Sequence, residues 1–395
     1  MTQGKSTVQR YVVMRKTAAY RNFKVIQRIF SSFFKIFKII LVFLKLILKQ
    51  QAQKIRICYK FFRMVKKIDF ICYSIIFPCL LSSIVHLGFT SKYALVHAEL
   101  DKLPDLYYNG LYNYRFLSRD ILTGIYGWVN PYMDLLRKYH LFSAMNTLGT
   151  NFYILTILYN TLFYVLTCMI LYKIFFLIKG ENKKYIKLLY LFLVSIMALS
   201  EYVITPFDDC SNFLFLLSIW LIFKLKEKFS LLNNIILTIL IIISTCNRES
   251  SALILSFYAA VILSDSIFKI FEKETFKRLL KHLFLPVFGF LAAYIGIRLL
   301  IKMENTRFVE GNYFLSNITE IKNILGILFY LILAFYSISI SETDQQKRNI
   351  KNFLVFSSPY IFVILYAGIL WEIRLYIPLL IGQFILANYK NLVRV

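Results

Sequence analysis

Four short segments of this chain set side by side residue types that could do chemistry. Glu99-Leu100-Asp101 and Asp208-Asp209 each bring two carboxylates together, while Arg248-Glu249 and Glu372-Ile373-Arg374 each put a guanidinium next to a carboxylate. A carboxylate can take a proton from a hydroxyl or present oxygens to a hard cation, and adjacent carboxylates repel unless positive charge is near. Arginine suits phosphate because its planar fork donates two bonds at once. Arg115 and Arg119 follow the tyrosines Tyr107, Tyr108, Tyr112 and Tyr114, and Asp105 and Asp120 lie in the same stretch. Each feature also has a plain reading. Glu99 and Asp101 could be solvated loop acids, Asp208 and Asp209 could favour a helix N-terminus, the Arg and Glu pairs could answer each other's charge, and the tyrosines could form an interfacial belt. His86, His97, His140 and His282 have no partner at ligand spacing and read as incidental, and the six cysteines read as small apolar residues.

The elements that must position these residues follow from composition. The hydrophobic share is 58% and the aromatic share 17% over 395 residues, with a mean hydropathy of +0.62, so the chain is a membrane protein. Thirteen glycines and no alternating segments exclude a β-barrel. The fold class expected is all-α, a polytopic transmembrane helical bundle. Apolar runs at 70–90, 151–172, 188–204, 212–223, 230–246, 251–268, 283–301, 324–340, 353–371 and 375–388 read as about ten spans. The net charge of +26 is gathered mostly on the side of the N-terminal segment, which the positive-inside rule assigns to the cytoplasm together with both termini. This basic charge belongs to a membrane face, with no nucleic acid implied. The chain divides into a basic cytoplasmic region, 1–69, and a transmembrane domain, 70–395. Within the first, Arg28, Lys35, Lys38, Lys45 and Lys49 fall within an arc of about 100° on a helical wheel, so 28–49 reads as an amphipathic helix lying on the interface.

In this topology all four chemical segments face outward. The loop 91–150 is the longest on that side, and Phe116, Leu117, Ile121, Leu122, Ile125 and Tyr126 recur at helical spacing, so part of it should lie as an amphipathic helix. The cytoplasmic loops carry only solvating lysines. No phosphate-binding glycine loop is present, which argues against nucleotide hydrolysis.

The layout resembles the GT-C glycosyltransferase superfamily, polytopic enzymes that use polyprenyl-phosphate-linked sugars. Glu99-Leu100-Asp101 sits where that family carries an acidic motif in a long first outer loop, and Asp208-Asp209 where it carries further acids. Tyr114-Arg115-Phe116-Leu117, Asn247-Arg248-Glu249 and Glu372-Ile373-Arg374-Leu375-Tyr376-Ile377-Pro378 look like segments of poorly characterised bacterial proteins near that superfamily. The resemblance covers 70–390 and implies an integral enzyme of the bacterial inner membrane. Its partners would be membrane lipid, a polyprenyl-phosphate sugar and a glycan or lipid acceptor. Glu99 or Asp101 would act as base. Asp208 and Asp209 would orient substrate or, with Asp101, hold Mg²⁺ or Mn²⁺. Arg115, Arg119, Arg248, Arg298, Arg307 or Arg374, with Glu249 and Glu372 beside them, would bind the donor. A polysaccharide polymerase or lipid-linked glycan ligase would lean on the arginines instead, and a transporter or flippase would need a polar route past Asn160, Ser195 or Ser218.

The orientation is open to a direct test: a reporter active only in the cytoplasm, fused in turn to each end, is expected to work at both. Activity at one end alone would break the span count or the placement of 28–49.

Overall fold

The computed structural model describes residues 67–88, 97–108, 110–138, 149–177, 183–263, 267–301 and 311–389. The helix expected over 28–49 lies outside them, as do Arg307 and His140. All the regular structure among the described residues is helical. Helix α1 runs from Lys67–Ile71 through a π-helical turn, Cys72–Ile76, into Phe77–Gly88. After two 3₁₀ turns, Asp105–Tyr108 and Gly110–Tyr114, come α2 (Phe116–Lys138), α3 (Asn151–Leu177), α4 (Lys183–Ser200), α5 (Asp208–Glu227) and α6 (Leu231–Asn247). Then come α7 (Ala252–Leu263), α8 (Lys273–Leu300), α9 (Phe314–Thr319), α10 (Ile321–Ser339), α11 (Asp344–Phe356), α12 (Ser358–Ala367) and α13 (Ile377–Ala387).

Length and polarity sort these helices. α1, α3, α8 and α10 are long and apolar enough to cross a membrane, and α11 with α12 would make a fifth span bent by 51°. The bend sits where Pro359 enters the first turn of α12, since proline cannot donate the backbone bond that would continue α11. The outward faces of α8 and α10 are apolar, with Phe276, Phe284, Phe288, Leu325 and Phe335 exposed. The chain thus has the helices of a membrane protein, but among the described residues four or five are candidate spans where about ten were expected. α4, α6, α7 and α13 are apolar yet shorter, and α5 carries Asp208, Asp209, Lys224 and Lys226 in its end turns. A helix of 12 residues such as α7 rises about 18 Å, against a hydrocarbon core of about 30 Å.

Two of the short helices, α7 and α13, are surrounded by protein, whereas α4 and α6 keep an exposed apolar face with Leu188, Leu232 and Ile239. α5 packs against α3, α6, α7 and α13, and α7 also against α8 and α11. Every residue of α13 is buried, as is nearly all of α7. Phe257 of α7 meets Phe353 of α11 edge to face at 5.7 Å and Phe215 of α5 at 6.3 Å, contacts worth about 0.5–1.5 kcal/mol each beyond the area they bury. α11 starts on a capping box in which Thr343 and Gln346 satisfy each other's backbone N–H groups.

The helix expected in the first long loop is α2. Its inner side buries Leu122 and Met133, and Tyr126 packs edge to face on Phe152 of α3 at 5.0 Å. Ile121, Ile125, Trp128, Tyr132 and Leu135 are exposed and fall within an arc of about 80° at helical spacing, the apolar stripe of an interfacial helix. Gly149 then takes φ +111°, a left-handed conformation that favours glycine, and the next N–H, of Thr150, donates to the Ala98 carbonyl at 2.9 Å. That bond ties the 97–101 segment to the start of α3.

Gly326 lets α10 approach a charged turn closely. A Cβ at this position would overlap the Leu370 carbonyl and crowd Trp371, so α10 lies directly against the turn that carries Glu372 and Arg374. Gly326→Ala is expected to destabilise the protein by about 1–3 kcal/mol, the usual penalty of overpacking, read as a lower melting temperature in detergent. An unchanged melting temperature would mean that this close approach is not maintained.

Candidate functional site: a buried cluster of arginines and carboxylates

The helix ends bring together seven charged side chains from five separate places. Arg115 precedes α2, Asp208 opens α5, Arg248 and Glu249 form the α6–α7 turn, Arg298 lies in the last turn of α8, and Glu372 and Arg374 form the turn before α13. Asp208 is the joint. Its Oδ1 accepts from Arg248 Nη1, and its Oδ2 accepts from Arg374 Nη1 at 2.9 Å and from Thr205 Oγ1 at 2.8 Å. Arg374 also holds Glu372 Oε2, through Nε at 2.9 Å and Nη2 at 2.7 Å. A second joint forms at Glu249, whose Oε2 accepts from Arg115 Nε at 2.9 Å while its Oε1 lies 3.7 Å from Arg298 Nη2. A direct cross-pair between the two turns, Arg248 with Glu372 or Glu249 with Arg374, would have been the simplest pairing, but neither is among the ion pairs of the described residues; Arg248 and Arg374 instead meet on Asp208.

Local structure dictates this meeting. Arg248 leaves α6 with extended backbone, φ −164° and ψ 142°, while its N–H still closes on Ser244 at 2.8 Å. Asn247, fully buried, donates to the Phe207 carbonyl at 2.9 Å and to Ser211 Oγ at 2.8 Å, and accepts from Ser118 Oγ of α2. A single amide thus locks α2, the start of α5 and the end of α6. Tyr112 stacks on Phe207 with centroids 6.3 Å apart, and Arg115 lies over Tyr112 at 4.8 Å. Arg298 lies 3.6 Å from the Tyr294 ring and 4.7 Å from the Tyr114 ring. The tyrosines of the first loop are therefore packing partners of guanidiniums, and cation–π contact accounts for them more fully than a solvent-facing belt does.

Electrostatically the cluster leans positive, with Arg115, Arg248, Arg298 and Arg374 against Asp208, Glu249 and Glu372. Burial works against the charge on Arg374 and Arg115, but Glu372 and Glu249 outweigh it and hold both pKa values above the ordinary arginine value. Among the described residues Arg248 spends only Nη1 on a carboxylate and Arg115 only Nε, so positive charge is not fully matched by carboxylate bonds. Glu249 Oε1 is buried with no hydrogen bond. Such a site can accept an anion with several oxygens.

The other residues singled out from sequence stand elsewhere. Glu99 and Asp101 are exposed on the 97–101 segment, and neither joins the ion pairs among the described residues. Arg119 bonds Asp120 at 2.7 Å, Asn113 at 2.7 Å and the Tyr107 carbonyl at 3.2 Å, so it fastens the tyrosine segment to α2. Asp209 is buried, but the four arginines are committed to Asp208, Glu249 and Glu372. Among the described residues no three His, Cys, Asp or Glu side chains stand together as metal ligands. Asp208's oxygens are taken by two guanidiniums that a divalent cation would have to displace, and Asp101 is exposed, so Asp101, Asp208 and Asp209 do not fit Mg²⁺ or Mn²⁺. Sequence reasoning missed Glu201, which lies 2.9 Å from His86; His86 is thus paired, not incidental. Neither residue stands in a charged motif that would have flagged it.

Asp208→Asn removes the charge that answers two buried guanidiniums and should cost about 3–5 kcal/mol. Thr205→Val, which removes one neutral donor, should cost about 1 kcal/mol. Chemical denaturation of both variants in detergent checks the ranking; equal losses would deny Asp208 its role as joint.

Comparison with protein-family models, with curated proteins and with solved structures finds no match for this chain.

Proposed function

We propose that this chain is an integral-membrane glycosyltransferase that takes a sugar from a polyprenyl-phosphate-linked donor at the outer face of the bacterial inner membrane. The observation that supports this reading is the buried cluster of four arginines and three carboxylates, in which, among the described residues, Arg115 and Arg248 each make a single bond to a carboxylate. With the N-terminal end of α1 on the cytoplasmic side, as the positive-inside count reads, Arg115 between α1 and α3 and Arg298 at the end of α8 lie on the outer side, and the cluster with them. A lipid-phosphate donor would keep its chain among apolar helices and bring its phosphate to these guanidiniums. The acceptor oxygen attacks the anomeric carbon, the bond from that carbon to the phosphate oxygen breaks, and the electron pair leaves on the lipid phosphate, where positive charge stabilises it. The acceptor's proton passes to a carboxylate. Asp208 is a poor choice of base, because two guanidiniums stabilise its charged form. Glu99 and Asp101, exposed on the segment tied to α3, remain the bases this reading assigns.

The same observation favours a second reading, a polysaccharide polymerase or lipid-linked glycan ligase. Such an enzyme would rely on the arginines and could dispense with Glu99 and Asp101. Transfer measured in membranes with a lipid-linked donor separates the two. Arg248→Lys and Arg115→Lys each remove part of a charged fork and should lower transfer about 10- to 100-fold, the equivalent of losing one hydrogen bond to a charged group. Glu99→Gln and Asp101→Asn should abolish transfer if one of these acids is the base. Full transfer by both acid variants with loss in the arginine variants moves the assignment to the polymerase or ligase, and full transfer by all four ends both readings.

A further inference from the structure

Two more acids flank the turn that carries Asp208. Glu201 follows α4 and Asp209 follows Asp208 in α5; they are 5% and 4% exposed, and Asp209 lies within electrostatic reach of Glu201. Glu201 Oε2 is 2.9 Å from His86 Nε2 on α1 and accepts from Ser82 Oγ at 3.1 Å, and Ser82 is 2.7 Å from Thr161 Oγ1 on α3. The other oxygen, Glu201 Oε1, is buried without a hydrogen-bond partner, and so is Asn160 Oδ1 on α3. Asn160 Nδ2 donates to the Thr205 carbonyl at 3.0 Å, in the Glu201–Asp208 turn. Tyr159 is within electrostatic reach of Asp209.

The groups facing these acids offer little positive charge. From α1 comes His86, from α3 come Tyr159, Tyr164 and Cys168, and on α5 Cys210 adjoins Asp209. Arg248 at the end of α6 and Arg374 ahead of α13 are committed to Asp208 and Glu372. From α13 the polar side chain is Gln383, bonded to Ser337 and Tyr330. Glu201 and Asp209 are both removed from water and within electrostatic reach of each other, and His86 meets only Glu201, so the two carboxylates cannot both stay ionised at an acceptable cost. Across Glu201, Asp209 and His86 the net charge is zero only when two dissociable protons are bound.

We propose that the Glu201–His86 pair and the neighbouring Asp209 hold two buried protons, one shared by Glu201 and His86 across their 2.9 Å contact and the second on Asp209. A metal ion is the poorer occupant, because no three ligand side chains gather there among the described residues and Glu201 Oε2 already has two partners. The proton is the one cation that needs no coordination shell. The inference does not rest on the transferase reading; it holds whatever the arginine cluster binds.

The site makes stability depend on pH with a definite sign. An acid that keeps its proton in the folded state but releases it when unfolded, above its free value of about 4.3 for Glu or 3.9 for Asp, makes stability fall as pH rises. Melting of the full-length protein in detergent, followed from pH 6 to pH 9.5, is expected to drop by several degrees for the wild type. The double variant E201Q/D209N, whose amides imitate the protonated acids in shape, should give a distinctly flatter profile. A wild-type profile no steeper than that of the double variant overturns the proposal. The second arm locates the proton with dicyclohexylcarbodiimide, which modifies protonated carboxyls in apolar surroundings. Mass spectrometry should find the adduct on the peptide containing Glu201 and Asp209, several-fold more at pH 6 than at pH 9.5 and the same in NaCl as in KCl. Protection of several-fold by Na⁺ relative to K⁺ would overturn the proposal and assign a sodium site. Loss of the adduct in the double variant, with wild-type elution on gel filtration, ties the label to these two acids.

Discussion

The arrangement of the helix ends in this protein depends on one carboxylate. Asp208 accepts from Arg248 and Arg374, which come from turns 40 and 166 residues away in sequence, and all three side chains are largely removed from water. A buried guanidinium without a counter-charge is expensive, and so is the carboxylate without its guanidiniums. None of the three segments can leave without stranding the other two. Asp208 also stands in the first turn of α5, where the positive end of the helix dipole adds to its stabilisation. Glu249, between Arg115 and Arg298, extends the same constraint to α2 and α8.

Apolar packing alone would not select this arrangement. In a membrane a helix face loses little by exchanging a neighbouring helix for lipid, so hydrophobicity gives weak preference for one partner over another. The directional contacts supply the choice. Asn247 bonds α2 and the start of α5 from the end of α6, and the Tyr360 hydroxyl donates to the Leu375 carbonyl at 2.9 Å. The Tyr202 hydroxyl reaches the Trp371 carbonyl at 3.2 Å. Each fastens a turn of the charged cluster to a separate segment of the chain, so the guanidiniums are held in place by directional bonds as well as by charge.

Hydropathy made the helices legible but not their surroundings. Leu253–Leu263 reads as an apolar run whether lipid or protein covers it; α7 is covered by α5, α8 and α11, and only helix length distinguishes this from a span. The charged turns at 248–249 and 372–374 announce themselves because charge is rare in so apolar a chain, but their partner lay in a third segment that sequence spacing does not reveal. Glu99-Leu100-Asp101 shows the opposite failure. The motif is conspicuous in sequence, yet both side chains are exposed, because the buried anchors of that segment are His97 and Leu103 on either side. Glu201 was invisible for want of an adjacent charge, and its partner His86 is 115 residues away.

Asp208 and Asp209 looked like a carboxylate pair with one environment, and helix geometry separates them. Consecutive residues on an α-helix point about 100° apart, so at the start of α5 the two side chains turn to different neighbours. Asp208 faces Arg248 and Arg374 and is held as an anion. Asp209 turns away, within electrostatic reach of Glu201 and of Tyr159 and Tyr164 on α3, where low polarity and a like charge favour the neutral acid. The same turn therefore supports an electropositive cluster and an acidic pocket one residue apart. A shift of α5 by a single residue would bring either Asp209 to the guanidiniums and Cys210 to Glu201, or Phe207 to the guanidiniums and the anionic Asp208 to Glu201; either misplaces an acid, which fixes the rotation of this central helix more firmly than its apolar faces can.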